Sequence, residues 1–236
     1  MLITTLTATV FAANCLILSK EGAAVVVDPG AGTAARVAAA LRQAELELKA
    51  VYLTHGHPDH VWEAAAVAGE LPVFISADDA PLLEGPAGEP GSERALQFAQ
   101  MAGSEWVAPS NVVTFTPGEE VAPAEGFTFR TFAAPGHTPG SVLAVLNEHA
   151  QLHGDMAAPA IAGPQQIVLT GDVIFAGSIG RTDLPGGDPA AMRDTLRTVP
   201  PQLPADAVLL PGHGPATRLA DELVTNPFLV GAQGVG

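Results

Sequence analysis

Three histidines and one aspartate lie within the six residues from His55 to His60, and this segment constrains the fold more than any other. The hydrophobic run Ala50–Leu53 precedes it and an alanine-rich stretch, Val61–Glu70, follows it, which predicts a tight turn between a buried strand and a helix. Gly56 and Pro58 favour a backbone outside regular helix or strand, so the polar side chains can converge. Imidazole and carboxylate groups bind zinc and related divalent metals. The density of such groups favours a metal site over a solvated polar turn.

Three later segments share one arrangement, in which a single His or Asp follows a predicted strand and has glycine beside it. Loops at the ends of strands converge on one edge of a layered fold, so we expect these side chains to join the first cluster. Taken singly, either histidine could be a structural turn residue and the aspartate a helix cap. The three are His137 after Phe127–Ala133, Asp172 after Ile167–Thr170, and His213 after Ala207–Leu210.

The order of the predicted elements indicates two sheets packed face to face with helices outside, an αββα sandwich of the α/β class. No composition shift marks a linker, so we expect a single domain over residues 1–236. The polar segment Glu148–Gln165 is predicted to be an enlarged hairpin loop, with His149 and His153 at the surface. Further strands are predicted at Leu2–Phe11, Leu16–Ser19, Ala23–Val27, Pro72–Ser76, Val112–Thr116 and Ser141–Leu146, and helices at Thr33–Leu46 (with Thr33 as cap), Ser92–Met101, Pro189–Val199 and Thr217–Val224.

Charge and composition narrow the classes of partner and compartment. The formal net charge is −15 with only 10 Lys and Arg together, which argues against nucleic acid and anionic membranes as partners. No apolar run approaches the length of a membrane span, and Met1–Thr5 lacks the features of a signal peptide, so we expect a cytoplasmic protein. Cys15 is the single cysteine, which excludes an intrachain disulfide. Its apolar neighbours predict a buried, unreactive thiol.

The order and spacing of the candidate ligands resemble the metallo-β-lactamase superfamily, whose hallmark is a His-x-His-x-Asp-His motif followed by a later His, Asp and His. The resemblance covers almost the whole chain, from the turn at Asp28 to Gly214. It implies two divalent metal ions, for which zinc is expected first and iron or manganese are alternatives. By the family's pattern, His55, His57 and His137 would hold one metal, Asp59, His60 and His213 the second, and Asp172 would bridge both.

Two segments, Phe175–Asp188 and Asn226–Leu229, are similar to the small single-domain glyoxalase II-like hydrolases. This resemblance implies a hydroxyacylglutathione hydrolase-like thioesterase acting on a 2-hydroxyacyl thioester such as S-lactoylglutathione. A metal-bound hydroxide would attack the thioester carbonyl. Asp59 would be both a ligand and the group that orients the nucleophile or accepts its proton.

Arg181 has two possible roles by the same resemblance. It lies where glutathione thioesterases carry a basic substrate contact, so it could bind a substrate carboxylate. It could equally form an internal ion pair with Asp183. Histidine ligands also need hydrogen-bond acceptors behind them, and Asp28 and Asp183 are the candidates.

Several alternative functions stay open at this level. The segment around Arg181 also occurs in persulfide dioxygenases, in which a single iron would be held by His55, His137 and Asp172. A lactonase, a β-lactamase or another hydrolase of the superfamily is a further alternative. A metal-binding module without catalysis is disfavoured by the complete ligand set. The oligomeric state is open.

Overall fold

The computed structural model describes residues 1–154, 163 and 165–233, and two β-sheets with helices on their outer faces make up its architecture. The strands are β1 (Leu2–Thr7), β2 (Asn14–Lys20), β3 (Ala23–Val27), β4 (Glu47–Tyr52), β5 (Val73–Ser76), β6 (Val112–Phe115), β7 (Glu120–Ala124), β8 (Phe127–Ala133), β9 (Val142–Leu146), β10 (Gln151–Gly154), β11 (Ile167–Gly171), β12 (Ile174–Phe175), β13 (Ser178–Ile179), β14 (Val208–Pro211) and β15 (Thr217–Arg218). The helices are α1 (Ala34–Gln43), α2 (Pro58–Val61), α3 (Ala64–Ala68), α4 (Glu93–Ala102), α5 (Pro189–Thr198), α6 (Leu219–Thr225) and α7 (Pro227–Gln233), with 3₁₀ turns at Ala80–Glu84 and Pro200–Gln202.

The first sheet has seven strands in the order β10-β1-β2-β3-β4-β5-β6, and the second has six in the order β15-β14-β11-β9-β8-β7. Strands β12 and β13 form a separate pair. Strands in the middle of the sheets are apolar almost throughout, as expected when both faces are covered. Strand β8 alternates instead, with Phe127, Phe129 and Thr131 inside and Arg130 outside.

Three hydrophobic layers confirm the predicted αββα sandwich. The central layer lies between the sheets, where Tyr52 packs edge-on against Phe129 at 4.9 Å and stacks on Phe115 at 5.6 Å between ring centroids. A second layer joins the first sheet to α1 and α3, centred on Val37 and Val51. The third joins the second sheet to α5, α6 and α7. Helices α1, α3, α5, α6 and α7 therefore bury apolar side chains on the outer faces of the sheets, whereas Phe98 of α4 packs in a separate cluster with Trp62.

The prediction of one continuous helix from Val61 to Glu70 is wrong. The structure divides it into α2, which begins inside the histidine segment at Pro58, and α3. Proline at the first helical position favours this early start, because its missing N–H is not needed there. The helix predicted from Thr33 to Leu46 ends at Gln43. Thr33 occupies the N-cap position as predicted, but its hydroxyl donates to the carbonyl of Gly30 and makes no capping hydrogen bond.

The segment Glu148–Gln165 is not simply a hairpin loop. Strand β10 within it pairs in parallel with β1, from Leu2 opposite Gln151 to Thr5 opposite Gly154, and adds an edge to the first sheet. The strands before and after it, β9 and β11, belong to the second sheet, so the segment crosses between the sheets. His149 and His153 are exposed, as predicted. Residues 155–162 and 164 of the predicted loop lie outside the described residues.

Two expectations about the chain as a whole can be compared with the described residues. None of the helices in that part of the chain is long and apolar enough to cross a membrane. Cys15 is fully buried, and burial raises the pKa of its thiol far above the ordinary value. The thiol is therefore protonated and inaccessible, which agrees with an unreactive side chain.

Candidate metal centre

The histidine segment is fixed by backbone contacts between the two sheets. It leaves the first sheet at the end of β4, and the carbonyl of Thr54 accepts a hydrogen bond of 3.2 Å from the amide of Val142 in the second sheet. Helix α2 then begins at Pro58. His57 precedes the helix at its N-cap position, and His60 lies within it. This short helix separates the side chains into two directions.

The described residues contain three groups of potential metal ligands, in each of which the ligand atoms all lie within 4.8 Å of one another. One of them, Asp28, His55 and His60, shares its histidines with the other two groups, and those two correspond to the two directions. In the first group, Nδ1 of His57 lies 2.7 Å from Nε2 of His137. In the second, Nε2 of His213 lies 3.2 Å from Nε2 of His60 and 3.2 Å from Oδ2 of Asp59. These two groups are His55, His57 and His137, and Asp59, His60 and His213.

Asp172 lies between the two groups. Its Oδ1 is 3.4 Å from Nε2 of His60, and its Oδ2 is 3.4 Å from Nε2 of both His137 and His213. One carboxylate therefore faces histidines from both groups. All seven candidate ligands named from the sequence come together here, although they belong to four separate segments of the chain.

Hydrogen bonding within this cluster is incomplete in a way that fits metal ions. Among the described residues, Nε2 of His55 and Oδ1 of Asp172 are buried without a hydrogen-bond partner. Buried polar atoms are almost always paired, because an unpaired one costs roughly 1–3 kcal/mol. Both atoms belong to the candidate ligand set and both are strong metal donors. The residues therefore suit a pair of divalent cations.

Acceptors behind the ring nitrogens orient four of the five candidate ligand histidines. Nδ1 of His55 lies 3.1 Å from the hydroxyl of Thr54, which in turn donates to Oδ2 of Asp28 at 2.6 Å. Nδ1 of His60 lies 3.2 Å from the same Asp28 oxygen. With these Nδ1 atoms protonated, Nε2 of both rings is left free to bind a metal. The prediction that Asp28 accepts hydrogen bonds behind the ligand histidines is thus confirmed.

Backbone carbonyls do the same for His137 and His213. Nδ1 of His137 donates to the carbonyl of Arg181 at 2.7 Å, and Nδ1 of His213 donates to that of Phe11 at 3.1 Å. The prediction that Asp183 accepts a hydrogen bond from a ligand histidine is therefore wrong. Its carboxylate instead accepts two hydrogen bonds of 2.7 Å from the guanidinium of Arg181, in a pair that is more than half exposed.

Charge is distributed unevenly over the cluster. Burial is the largest cause that lowers the pKa values of all three histidines in the first ligand group, to about 3 for His57, well below the ordinary value for His55, and below the ordinary value for His137. Burial would lower the pKa of His213 as well, but hydrogen bonds to Asp172 and Asp59 raise it to about 9. The first ligand group is thus neutral at pH 7, while the second holds protons that a metal would displace.

Asp79 is a positioning residue that the sequence reasoning missed. Its buried carboxylate accepts hydrogen bonds from the amide of Gly56 (2.8 Å), the amide of Gly140 (2.7 Å) and the hydroxyl of Thr138 (2.7 Å). It therefore ties the first histidine segment to the loop that carries His137. Asp79 lies three residues beyond the end of β5 and has no glycine beside it, so the pattern that selected Asp172 did not include it.

The loop that carries His213 is held in a similar way by Asn14. The buried amide of Asn14 donates to the carbonyls of Pro211 and Gly214, both at 2.9 Å. Gly212 is needed for close approach, since a Cβ there would collide with Oδ1 of Asp172 and lie 2.6 Å from Cε1 of His60. The position beside His213 therefore requires glycine for steric reasons.

The ligands lie at the base of a cavity of about 590 Å³, a size suited to a small molecule. Its walls come from the β1–β2 loop, from helix α4 and from the segment after Asp172. Apart from the metal-site residues, it is lined by Phe11, Arg94, Gln97, Phe98, Met101, Phe175, Ile179, Arg181 and Leu184.

Comparison with known proteins agrees with this geometry. A family model described as the metallo-β-lactamase superfamily matches residues 8–149, which include the first histidine segment and His137. The chain belongs to the metallo-β-lactamase superfamily. The predicted family and fold class are therefore confirmed.

Relatives within the superfamily cover nearly the whole chain. Hydroxyacylglutathione hydrolase GloC of Haemophilus influenzae is 32% identical over 231 residues, 94% of this chain and 94% of the relative. The crystal structure of TTHA1623 in a di-iron-bound form has a TM-score of 0.72 and 31% identity, covering 95% of this chain and 98% of that one. BLEG-1, a B3 metallo-β-lactamase, has a TM-score of 0.75 and 28% identity over 97% and 99% of the two chains. Together they mark this metallo-β-lactamase-fold chain as a metal-binding enzyme, with hydrolase chemistry favoured.

Proposed function

We propose that this chain is a dinuclear metal-dependent hydrolase that cleaves a 2-hydroxyacyl thioester of the S-lactoylglutathione type. The observation that carries the proposal is the pair of three-residue ligand groups that face a single carboxylate, Asp172, at the base of the cavity. The similarity to hydroxyacylglutathione hydrolase GloC supports the choice of thioester. Zinc is the metal we propose first, with iron or manganese as alternatives, and the di-iron form of TTHA1623 supports iron as a metal that this fold accepts.

Bound divalent ions would polarise the thioester carbonyl and lower the pKa of a water molecule, so that a nucleophile is present at neutral pH. His55, His57 and His137 would hold one ion, Asp59, His60 and His213 the other, and Asp172 would contact both. The remaining steps depend on side chains of this chain.

Asp59 is the group that we assign to orient the attacking water and accept its proton. Burial would raise the pKa of Asp59, but the charge of His60 and the hydrogen bond from His213 outweigh this and hold the pKa below its ordinary value. The carboxylate is therefore ionised at pH 7 and faces the cavity. A thiolate is a stable leaving group, so a thioester does not need a strong general acid.

The test is to purify the protein, measure its metal content and assay it against a panel of substrates. The panel holds S-lactoylglutathione, a second 2-hydroxyacyl thioester, a lactone, a β-lactam and glutathione persulfide, the last followed by oxygen uptake. We expect two metal ions per chain and thiol release without oxygen consumption. Inactivity toward both thioesters in protein that holds two metals would overturn the proposal.

A matched pair of histidine variants makes the assay specific. His57→Ala removes a ligand of the first group and is expected to lose metal and at least 100-fold in kcat/KM, in line with the loss of a residue at the reacting centre. His153→Ala removes an exposed histidine far along the chain in β10 and serves as the control. Equal activity of the two variants would contradict the assignment of the cluster as the active site.

The same panel discriminates the alternatives. A mononuclear-iron persulfide dioxygenase would use His55, His137 and Asp172 and would consume oxygen with the persulfide. The convergence of Asp59, His60 and His213 into a second ligand group favours the dinuclear hydrolase over it. Preferential turnover of the lactone or the β-lactam would reassign the substrate within the superfamily.

A further inference from the structure

Helix α4 presents one face to the cavity above the metal-binding residues. Its residues Arg94, Gln97, Phe98 and Met101 line that cavity, and their spacing of three, four and seven residues places them on one side of a helix. The helix is well defined at both ends, since the hydroxyl of Ser92 accepts from the amide of Ala95 and Gly103 ends it in a left-handed conformation.

Aromatic contacts fix α4 relative to the metal centre. The ring of Phe98 lies 4.5 Å from that of Trp62, which is two residues after His60, and 6.0 Å from that of Phe11. Phe11 also accepts the hydrogen bond from His213 through its carbonyl. The face of α4 is therefore held by packing to two segments that carry or support ligands, so the position of Arg94 is tied to that of the reacting centre.

Two arginines line the cavity, and their charges are not equivalent. Arg181 gives two hydrogen bonds to the carboxylate of Asp183, which neutralises it and occupies two of its donors. Arg94 forms no ion pair within residues 1–154, 163 and 165–233. The Lys and Arg ion pairs there belong to Lys20, Lys49, Arg181 and Arg197.

The surroundings of Arg94 favour an anionic group on an otherwise apolar ligand. Phe11 is 61% exposed and Met101 is 51% exposed, and both line the same cavity, so its rim offers apolar surface beside a free guanidinium. The planar guanidinium fork matches a carboxylate, to which it can give two parallel hydrogen bonds. The net charge of −15 disfavours anions over most of the surface, so an anionic ligand needs a local cation such as the guanidinium of Arg94.

We propose that Arg94 binds a carboxylate of the thiol carrier and so selects thioesters of carboxylate-bearing thiols, an assignment that rests on the proposed thioesterase function. Arg181, which the sequence suggested for this role, is already paired with Asp183. We assign carboxylate binding to Arg94 because it lines the same cavity and has no ion-pair partner among the described residues. The apolar rim contacts the uncharged part of the carrier.

Binding is measured first, on metal-loaded protein, with S-methylglutathione as an inert carrier. We expect Arg94→Gln to weaken its binding about tenfold in isothermal titration calorimetry, the loss expected for one charge-assisted contact, and Arg94→Lys to weaken it less. Arg193→Gln is the matched control, because Arg193 is an exposed arginine on α5 that lines a different cavity. Equal affinity of wild type and Arg94→Gln, equal losses in the Arg94 and Arg193 variants, or no binding by the wild type would overturn the proposal.

Kinetics separate this proposal from the proposed function. The two substrates are S-lactoylglutathione and the lactoyl thioester of N-acetylcysteamine, whose thiol carries no charge. We expect Arg94→Gln to lower the ratio of kcat/KM for the charged over the uncharged carrier about tenfold, mainly through KM. An unchanged ratio with active enzyme overturns the role of Arg94 and leaves the thioesterase function standing. No hydrolysis of either thioester, with binding that still depends on Arg94, overturns the function alone.

Discussion

Nδ1 of His57 and Nε2 of His137 face each other at 2.7 Å inside the first ligand group. His137 already donates its Nδ1 proton to the carbonyl of Arg181, so its Nε2 presents a lone pair. In the metal-free protein, a proton on Nδ1 of His57 satisfies both atoms. A divalent cation in the same place would use both lone pairs, and His57 would then carry its proton on Nε2.

Metal binding is therefore expected to change the tautomer of His57. Long-range ¹H–¹⁵N NMR spectra of the ring nitrogens distinguish the two tautomers directly. We expect His57 to move from the Nδ1–H form to the Nε2–H form as metal is added, while His137 keeps its Nδ1 proton. Unchanged nitrogen shifts of His57 in protein that has bound two metals would contradict this ligand assignment.

Metal binding is also expected to release protons and to strengthen as pH rises. The pKa of His213 is raised to about 9 in the metal-free protein, above its ordinary 6.5, so this ring is protonated at pH 7.5. The stabilisation of the protonated ring is fully present below pH 6.5 and is lost as pH rises through 9. A metal needs the neutral ring, so its apparent affinity increases up to that pH.

Calorimetry in buffers of different ionisation enthalpy measures this proton release. The pKa of His60 is also raised, because Asp172 and Asp59 outweigh the effect of burial, so we expect about two protons in all at pH 7.5. His213→Ala is expected to release about one proton fewer and to bind one metal weakly. His153→Ala is the control. A binding enthalpy independent of the buffer would contradict the protonated state of the second ligand group.

Gly212→Ala is expected to disrupt the second ligand group without unfolding the protein. The added Cβ would collide with Asp172 and crowd His60, so one of these side chains has to move. The measurement is metal stoichiometry together with kcat/KM, and we expect loss of at least one metal. Gly231→Ala in α7 meets no atom within 4 Å and is the control. It is expected to be neutral or to stabilise by up to about 1 kcal/mol, since alanine favours helix. Full metal content in Gly212→Ala would refute the steric argument.

Asp79→Asn is expected to lower both stability and activity. An amide group in place of the carboxylate turns one acceptor toward a donor, which leaves at least one of Gly56, Gly140 and Thr138 without its partner. The expected loss in the free energy of unfolding is about 1–3 kcal/mol, measured by urea denaturation. Asp78→Asn changes the exposed neighbouring residue and is the control. Similar urea midpoints and activities for the two variants would show that Asp79 does not position the histidine loops.

Four strands end one to four residues before a candidate ligand, and loops at strand ends lie along the edge of the sheet. Strands β2, β3 and β9 were also easy to predict from the sequence, because strands covered on both faces of the sheet are apolar almost throughout. The polar edge strand β10 was missed since only its pairing with β1 makes it a strand.

The superfamily, the αββα sandwich and the seven candidate ligands followed from the chain alone, because the order of its elements and the short motifs after its strands are local features. The side chains that support these ligands became apparent only in the folded protein. Asp79 joins two loops, Asn14 fixes the loop of His213, and the carbonyl of Phe11 orients that histidine. The fold also pairs Arg181 with Asp183, while Arg94 beside the cavity has no ion-pair partner among the residues that the structure describes. These relationships link residues far apart in the chain, and no local periodicity or spacing specifies them.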